Sequence, residues 1–291
     1  MRLWFRIDSN NALHTFLIMD CCQYSSKLAI ACGLIKIPSR RTFDRRLKTI
    51  STDVKERIST MGYLFVLEGM AYPSITATDS TLIKAKGHVW HKSSMKKGEV
   101  PCPGIDTDAR WSYSHTKGWI FGYKLHLTCT TGDLLVPLTA DVTTANVPDN
   151  KMYIPLTSSS LVFSLPSVLH MVADPGYDAK KLYEYSKKIL KIDLVCPVKR
   201  YKSTSKKRLE LVCFYESEIG QAIYSHRRIS IEPLIEHIKS IFRIDPLPVQ
   251  GLYTVSAIVL LSVLLYQLMV YYNCKTKKVN PKSIKYMLGT G

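Results

Sequence analysis

Val168-Leu169-His170-Met171-Val172-Ala173-Asp174-Pro175-Gly176 is an apolar run that ends on an acid and stops at once on Pro-Gly. A short apolar run bounded by turn residues reads as a strand buried in a sheet. Asp178 then caps a predicted helix with Leu182, Tyr185 and Ile189 on one face, and Asp193 to Val198 reads as the next strand. Strand, helix and strand in succession point to an α/β sheet with parallel members.

Upstream, Ser74-Ile75-Thr76-Ala77-Thr78-Asp79-Ser80-Thr81-Leu82 is rich in β-branched residues and reads as a strand. Ile120 to Thr128 alternates cleanly, Leu134 to Val142 follows, and Gly132-Asp133 between them is a hairpin signal. Residues 86–118 carry Gly87, Gly98, Pro101, Pro103 and Gly104, which predict a long loop or insertion. A hairpin meander ahead of a strand–helix–strand unit makes a mixed sheet.

Residues 1 to about 70 read as helical. Ser9 and Asn10 can cap a helix carrying Leu13, Phe16 and Leu17, and Ser39 can cap a second with Phe43, Leu47 and Ile50 on one face. Arg40, Arg41, Arg45, Arg46 and Lys48 lie on this second segment. Two readings stand for it: a helix docked on DNA phosphates, or a solvated face.

The composition narrows the partners. The chain has 291 residues, 46% of them apolar and 22% charged, which excludes a disordered chain and allows a substantial core. Forty Lys and Arg against 23 Asp and Glu give a net charge of +17, so a polyanion is the first partner to consider. The eight cysteines show no CxxC pair, and the N-terminal residues lack the apolar run of a secretory signal. Reduced, mostly buried thiols in a cytosolic protein are expected.

Gly251 to Asn273 holds no charged residue and is long enough to span a bilayer, with Lys275, Lys277 and Lys278 as a basic flank. Thr254, Ser256, Ser262, Gln267 and several tyrosines favour the rival reading, a buried helix of an α/β core. On that reading the lysines, with Lys282 and Lys285, form a DNA-facing tail.

Three acids stand in distinctive contexts: Asp79 within a strand, Asp174 at a strand end, and Glu232 in Arg228-Ile229-Ser230-Ile231-Glu232-Pro233. Acids from neighbouring strands and a helix can converge on Mg²⁺, whose hard-oxygen preference leaves sites for phosphate and water. Two such ions, about 4 Å apart, activate an attacking oxygen and stabilise a leaving one at a phosphodiester. Spacing alone does not single these three out from 23 acids.

Asp79-Ser80-Thr81, Phe121-Gly122-Tyr123-Lys124-Leu125-His126, Asp174-Pro175-Gly176-Tyr177-Asp178 and the Arg228/Glu232/Lys239 array together resemble the DDE-type transposases of insertion sequences, from about residue 36 to the C-terminus. The resemblance implies a ribonuclease H-like mixed β-sheet core with flanking helices at 71–291, preceded by a helical, DNA-binding region at 1–70. It implies that Asp79, Asp174 and Glu232 are catalytic and hold two Mg²⁺ or Mn²⁺ ions. Arg228, Lys239 and Lys124, with Arg40, Arg41, Arg45 and Arg46, are the expected DNA contacts. The implied activity is cut-and-paste transposition: metal-dependent strand cleavage and strand transfer on double-stranded DNA. A homodimer in the DNA complex, a cytoplasmic, nucleoid-associated location and no membrane contact are also expected.

The family places Tyr-x-x-Arg-x-x-x-Glu-x-x-x-x-x-x-Lys around its glutamate. Arg228, Glu232 and Lys239 fit, but the tyrosine position is Ser225, with Tyr224 displaced by one. Ser230 is expected to cap a helix that Glu232 opens and that carries Pro233 in its first turn, with Arg228 just outside it, and Glu236 is the rival for Glu232. Asp106 and Asp108 read as structural loop residues. His88, His91 and Cys102 lack a fourth ligand at suitable spacing, which argues against zinc. Trp111 or Trp119 can stack on an extruded base or simply pack. Lys124 and His126 share a strand face, read either as channel lining or as solvated. The alternatives to a working transposase are an inactive or truncated DNA-binding remnant and a membrane-anchored basic protein.

Overall fold

The structure is a computed structural model that describes residues 1–18, 24–99, 101–114, 116–200, 205–276 and 280–288. Four helices come first: α1 (Asn10–Ile18), α2 (Tyr24–Ala31), α3 (Arg40–Leu47) and α4 (Ser51–Leu67). Ser9 Oγ accepts from Ala12 N at 3.0 Å and Ser39 Oγ from Thr42 N at 3.4 Å, so both expected caps are in place. Leu13, Leu17 and Ala29 form a small apolar cluster of their own. By contrast α4 buries Val54, Ile58 and Phe65 in the main core. Ile50 is not on the α3 face but sits at the start of α4.

The sheet follows: β1 (Ile75–Lys84), then α5 (Lys92–Lys97), β2 (Arg110–Ser114), β3 (Gly118–Thr130) and β4 (Pro137–Thr144). After α6 (Tyr153–Ser158) come β5 (His170–Val172), α7 (Lys180–Tyr185) and β6 (Asp193–Val195). β3 runs antiparallel to β1, β2 and β4, whereas β1, β5 and β6 are mutually parallel. The order β4–β3–β1–β5–β6, with only β3 reversed, is the ribonuclease H-like mixed sheet that the resemblance implies. The stretch 86–118 is more ordered than a loop, because β3 is longer than β4 and its first half needs a partner. Trp111 to Ser114 supply it, opposite Phe121 to Gly118. Gly122 lets β3 approach β1 closely; a Cβ there would lie 2.0 Å from Ile83 O.

The helices α8 (Lys206–Glu216), α9 (Glu218–Phe242), α10 (Leu252–Thr276) and α11 (Ile284–Met287) complete the chain. Alternation splits the sheet into two apolar faces. Tyr123, Leu125 and Leu127 of β3, Val172 of β5 and Val195 of β6 join α4, α9 and α10 in one core. Met171, Ala173, Leu194 and Cys196 face the other way, onto Tyr153, Phe163 and Leu182.

Three local expectations are corrected. Asp178 does not cap α7, whose N-cap Ala179 contributes no side chain; the Asp178 carboxylate instead accepts from Lys199 N (3.0 Å) and Arg208 Nη2 (2.6 Å). Ile189 is exposed, off the Leu182 face. Of the six cysteines among the described residues, all free, Cys32, Cys102 and Cys213 are exposed, so the thiols are not mostly buried; Cys21 and Cys22 lie outside the described residues.

α10 is long and apolar enough to cross a membrane, and 67% of its most hydrophobic window is buried inside the protein. Several of its donors find partners there: Gln267 Nε2 donates to Ile58 O (2.9 Å) and Pro137 O (2.8 Å), and Tyr266 Oη to Leu135 O (3.3 Å), although Gln267 Oε1 is buried without one. This is the packing of a core helix. Of the expected basic tail, Lys275 pairs with Glu68 at 2.8 Å and Lys282 is exposed, while Lys277 and Lys278 lie outside the described residues.

Candidate active site

A basin of about 660 Å³ opens beside β1, and Asp79, Asp149, Asp174, Glu232 and Glu236 all line it, together with Lys124 and Arg227. Asp79 and Asp174 reach it by register. Ala77 pairs with Val172 across the parallel β1–β5 edge, and each acid lies two residues further along its strand path, on the α9 side of the sheet. Glu232 comes from α9, which packs across β1, β3, β5 and β6.

The acids are held differently. Asp79 Oδ1 accepts from Ser80 N (2.8 Å) and Oδ2 from Arg227 Nη2 (2.6 Å). Burial pushes its carboxyl up to about 7, and the nearby Arg227 guanidinium only partly offsets this. Asp174 Oδ1 accepts from Gly176 N (2.9 Å), which fixes the Pro175–Tyr177 turn. Its pKa is also raised, by burial first and then by the charge of Asp149. Glu232 is half-exposed, and its Oε1 accepts from Arg227 Nη1 at 3.0 Å. Burial works against the charge on Arg227, but Asp79, Tyr224, Asp174 and Glu232 together outweigh it and raise its pKa.

The arginine facing the acids is therefore Arg227; Arg228 is exposed and outside the lining. The expected helix start explains the difference. α9 does not begin after Ser230: it begins at Glu218, capped by Ser217 Oγ on Gly220 N (3.1 Å), and Pro233 lies in its interior. Ser230 Oγ bonds back to His226 O within the helix (2.5 Å). Ile231, Leu234, Ile235 and Ile238 are buried along one face, and that burial carries the helix through the proline. Tyr224 and Arg227 keep the Tyr-x-x-Arg spacing, a signal that points to Arg227 once the acid is allowed one residue later.

Lys239 lies outside the lining as well. It is 5% exposed, and its ammonium sits 2.8 Å from Asp245 Oδ2 and 3.7 Å from Glu236 Oε1. Lys124 does reach the basin, where Nζ donates to Asp149 Oδ1 (2.8 Å) and Val147 O (2.9 Å). Neither Lys124 nor His126 is solvated. His126 is fully buried, its Nε2 lies 2.9 Å from Thr143 Oγ1, and burial lowers its pKa to about 4, so the ring is neutral at neutral pH.

Asp149 is the residue that sequence reasoning missed. Its Oδ1 also accepts from Ser80 Oγ (2.7 Å). Its signal was modest: an acid in Asn146-Val147-Pro148-Asp149, just past a strand end. Asp106 and Asp108 are structural, as read. Asp106 Oδ2 accepts from Tyr123 Oη (2.8 Å) and Gly251 N (3.0 Å), and Asp108 Oδ2 from Leu252 N (2.9 Å), which places acids at the start of α10. Trp111 packs on Phe121 and donates to Trp90 O (2.7 Å), whereas Trp119 is exposed. Arg40, Arg41, Arg45 and Arg46 are exposed on α3 and take no part in the basin.

The donor set suits a hard divalent cation, since every acid in the basin offers carboxylate oxygen. Among the described residues no three His, Cys, Asp or Glu side chains converge closely enough to share an ion. Arg227 explains this in part, because its guanidinium holds the cationic position between Asp79 and Glu232.

The sequence model of the transposase DDE domain matches residues 72–268. No curated protein matches the chain. Among solved structures it is similar to the piggyBac transposase synaptic complex with hairpin DNA (TM-score 0.42, 10% identity, covering 99% of this chain and 67% of that one). It is also similar to a pre-cleavage Mos1 transpososome (TM-score 0.24, 12% identity, 89% and 78% covered). A third is the Mos1 mariner paired-end complex with Mn (TM-score 0.24, 13% identity, 90% and 77% covered).

Proposed function

This chain belongs to the transposase DDE domain family, and we propose that it cleaves and joins DNA strands at the ends of an insertion sequence. The observation that carries the reading is the meeting of Asp79, Asp174 and Glu232 in one basin, one on β1, one just past the end of its parallel neighbour β5 and one on the helix laid across them. Those three acids would hold divalent metal, Mg²⁺ or Mn²⁺ and two ions by the family reading, which supplies Lewis acidity toward a phosphodiester when bound. Glu236 is the alternative third acid.

The residues of the chain have separable tasks. Asp79 and Asp174 sit in a desolvated setting that penalises their charge, so a cation restores what burial costs them. Lys124 is fixed at the basin by Asp149 and can orient a phosphate oxygen. The net charge of +17 concentrates double-stranded DNA around the basin. Residues 1–70, with the exposed arginines of α3, serve as a DNA-binding region ahead of a catalytic region at 71–291. A homodimer on DNA and a cytoplasmic, nucleoid-associated location complete the proposal.

The test is nicking of supercoiled DNA that carries the sequences flanking the gene, with Mg²⁺ or Mn²⁺, against an Asp79→Asn control. Metal-dependent nicks at the element ends that vanish in the control are expected. Metal-independent nicking, or equal nicking by the control, would remove the reading.

A further inference from the structure

Asp178 stands four residues beyond Asp174 and is the anchor of a basic strip. Its side chain is 2% exposed and paired with Arg208. Arg208 in turn donates to Lys199 O through Nε (3.0 Å) and Nη2 (2.7 Å), and the Lys199 N–H returns to Asp178 Oδ2. One buried carboxylate thus ties the segment after β6 and the start of α8 to the turn that carries Asp174.

Four lysines flank this knot along the chain: Lys181 in the first turn of α7, Lys199, and Lys206 and Lys207 in the first turn of α8. All four are exposed, and none has an ion-pair partner among the described residues. Stability does not account for them. The first turn of α8 has no acid, so its two lysines stand against the helix dipole, and Ser205 places no side-chain cap there. Like charges on neighbouring segments repel unless an anion lies between them.

We propose that Lys181, Lys199, Lys206 and Lys207 form a phosphate-backbone interface for duplex DNA, which runs along this strip into the carboxylate basin. DNA is favoured over a lipid surface because Asp178 ties the strip to the turn that carries Asp174, which lines the carboxylate basin. The inference rests on the proposed DNA chemistry for its ligand but is tested by binding alone.

The experiment measures the salt dependence of affinity for a 30-bp duplex, without divalent metal, for the full chain and for a Lys181→Gln/Lys199→Gln/Lys206→Gln/Lys207→Gln variant. Each lost phosphate contact removes about 0.9 from the log–log slope, so a fall of about 3 to 4 is expected. A control with the same charge loss elsewhere, at exposed Lys84, Lys86, Lys96 and Lys97, should keep most of the slope. An unchanged slope in the first variant, an equal fall in the control, or a loss confined to binding of anionic phospholipid vesicles would overturn the proposal. Wild-type chain that binds with the lysine-dependent slope but never nicks would overturn the proposed function and leave this interface standing.

Discussion

Nη2 of Arg227 lies 2.6 Å from Oδ2 of Asp79, yet the pKa of Asp79 is pushed up to about 7. Burial at the centre of the sheet outweighs the attraction of the guanidinium. Asp174 and Asp149 add negative charge to the same basin. The site is therefore anion-rich despite its arginine, a state that costs the fold stability and favours an incoming cation.

That balance gives a pH prediction with a definite sign. The folded carboxyl of Asp79 holds its proton up to about pH 7, whereas its ordinary value is 3.8. Between these limits the folded chain binds more protons than the unfolded chain, so Asp79 makes stability fall as pH rises. Asp79→Asn stays neutral throughout. Its stability relative to wild type should rise across that window, by up to about 4 kcal/mol, and level off above it. Urea melts at pH 4, 5.5, 7 and 8 check this. A difference that stays flat would mean that Asp79 is ionised throughout and held by Arg227.

The acids also make separate predictions for activity. Asp79→Asn, Asp174→Asn and Glu232→Gln each remove an anionic oxygen with little change of shape. Each should lower metal-dependent nicking by roughly a thousandfold or more while duplex binding persists. Glu236→Gln is the control, since Glu236 shares the basin but stands one turn further along α9. Nicking lost in Glu236→Gln and kept in Glu232→Gln would transfer the third role to Glu236.

The sequence conveys the sheet better than the surroundings of its acids. Strand alternation in Ile120 to Thr128 and the Pro-Gly stop after Asp174 are local signals, and both survive packing. β2 is not local: Arg110 to Ser114 become a strand only because β3 has an uncovered half. Pro233 signals a helix start, but four buried residues on α9 override it, and the helix phase then brings in Arg227 where Arg228 is expected. Asp149 carries no pattern of its own. Its place depends on where the chain after β4 meets Lys124 and Ser80, a contact between distant segments.

Lys239 offers a test that separates a structural cation from a DNA contact. It is buried against Asp245, and the Lys239 bond, the Lys84 N–H and the Lys239 charge together outweigh burial and hold Asp245 below its ordinary pKa. Lys239→Met should destabilise the fold by about 1–3 kcal/mol at neutral pH, because it removes the cation beside a partly buried carboxylate and leaves it only the Lys84 N–H. The Asp245 contribution is present above pH 4 or so and fades as pH falls through its depressed pKa, so the penalty of the variant should shrink in acid. The DNA salt slope should hardly change. A stable variant with a slope reduced by about 1 would make Lys239 a phosphate contact instead.

The final prediction concerns α10, which is apolar enough for a bilayer but built into the core. Leu260 is fully buried among residues of α4, α9 and the sheet, and Gln267 spends its amide on Ile58 O and Pro137 O. Those two carbonyls belong to α4 and the start of β4, so the helix is bonded to the layers on both sides. Leu260→Asp would bury an unpaired carboxylate and should cost about 4 kcal/mol or more, enough to unfold or aggregate the whole chain and not α10 alone. Gln267→Leu should cost less, about 1–3 kcal/mol, since it removes two buried hydrogen bonds without adding charge. Circular dichroism melts and limited proteolysis read both effects. A Leu260→Asp chain that melts like wild type, or wild-type chain recovered in carbonate-washed membranes and released only by detergent, would take α10 out of the core and make it an anchor.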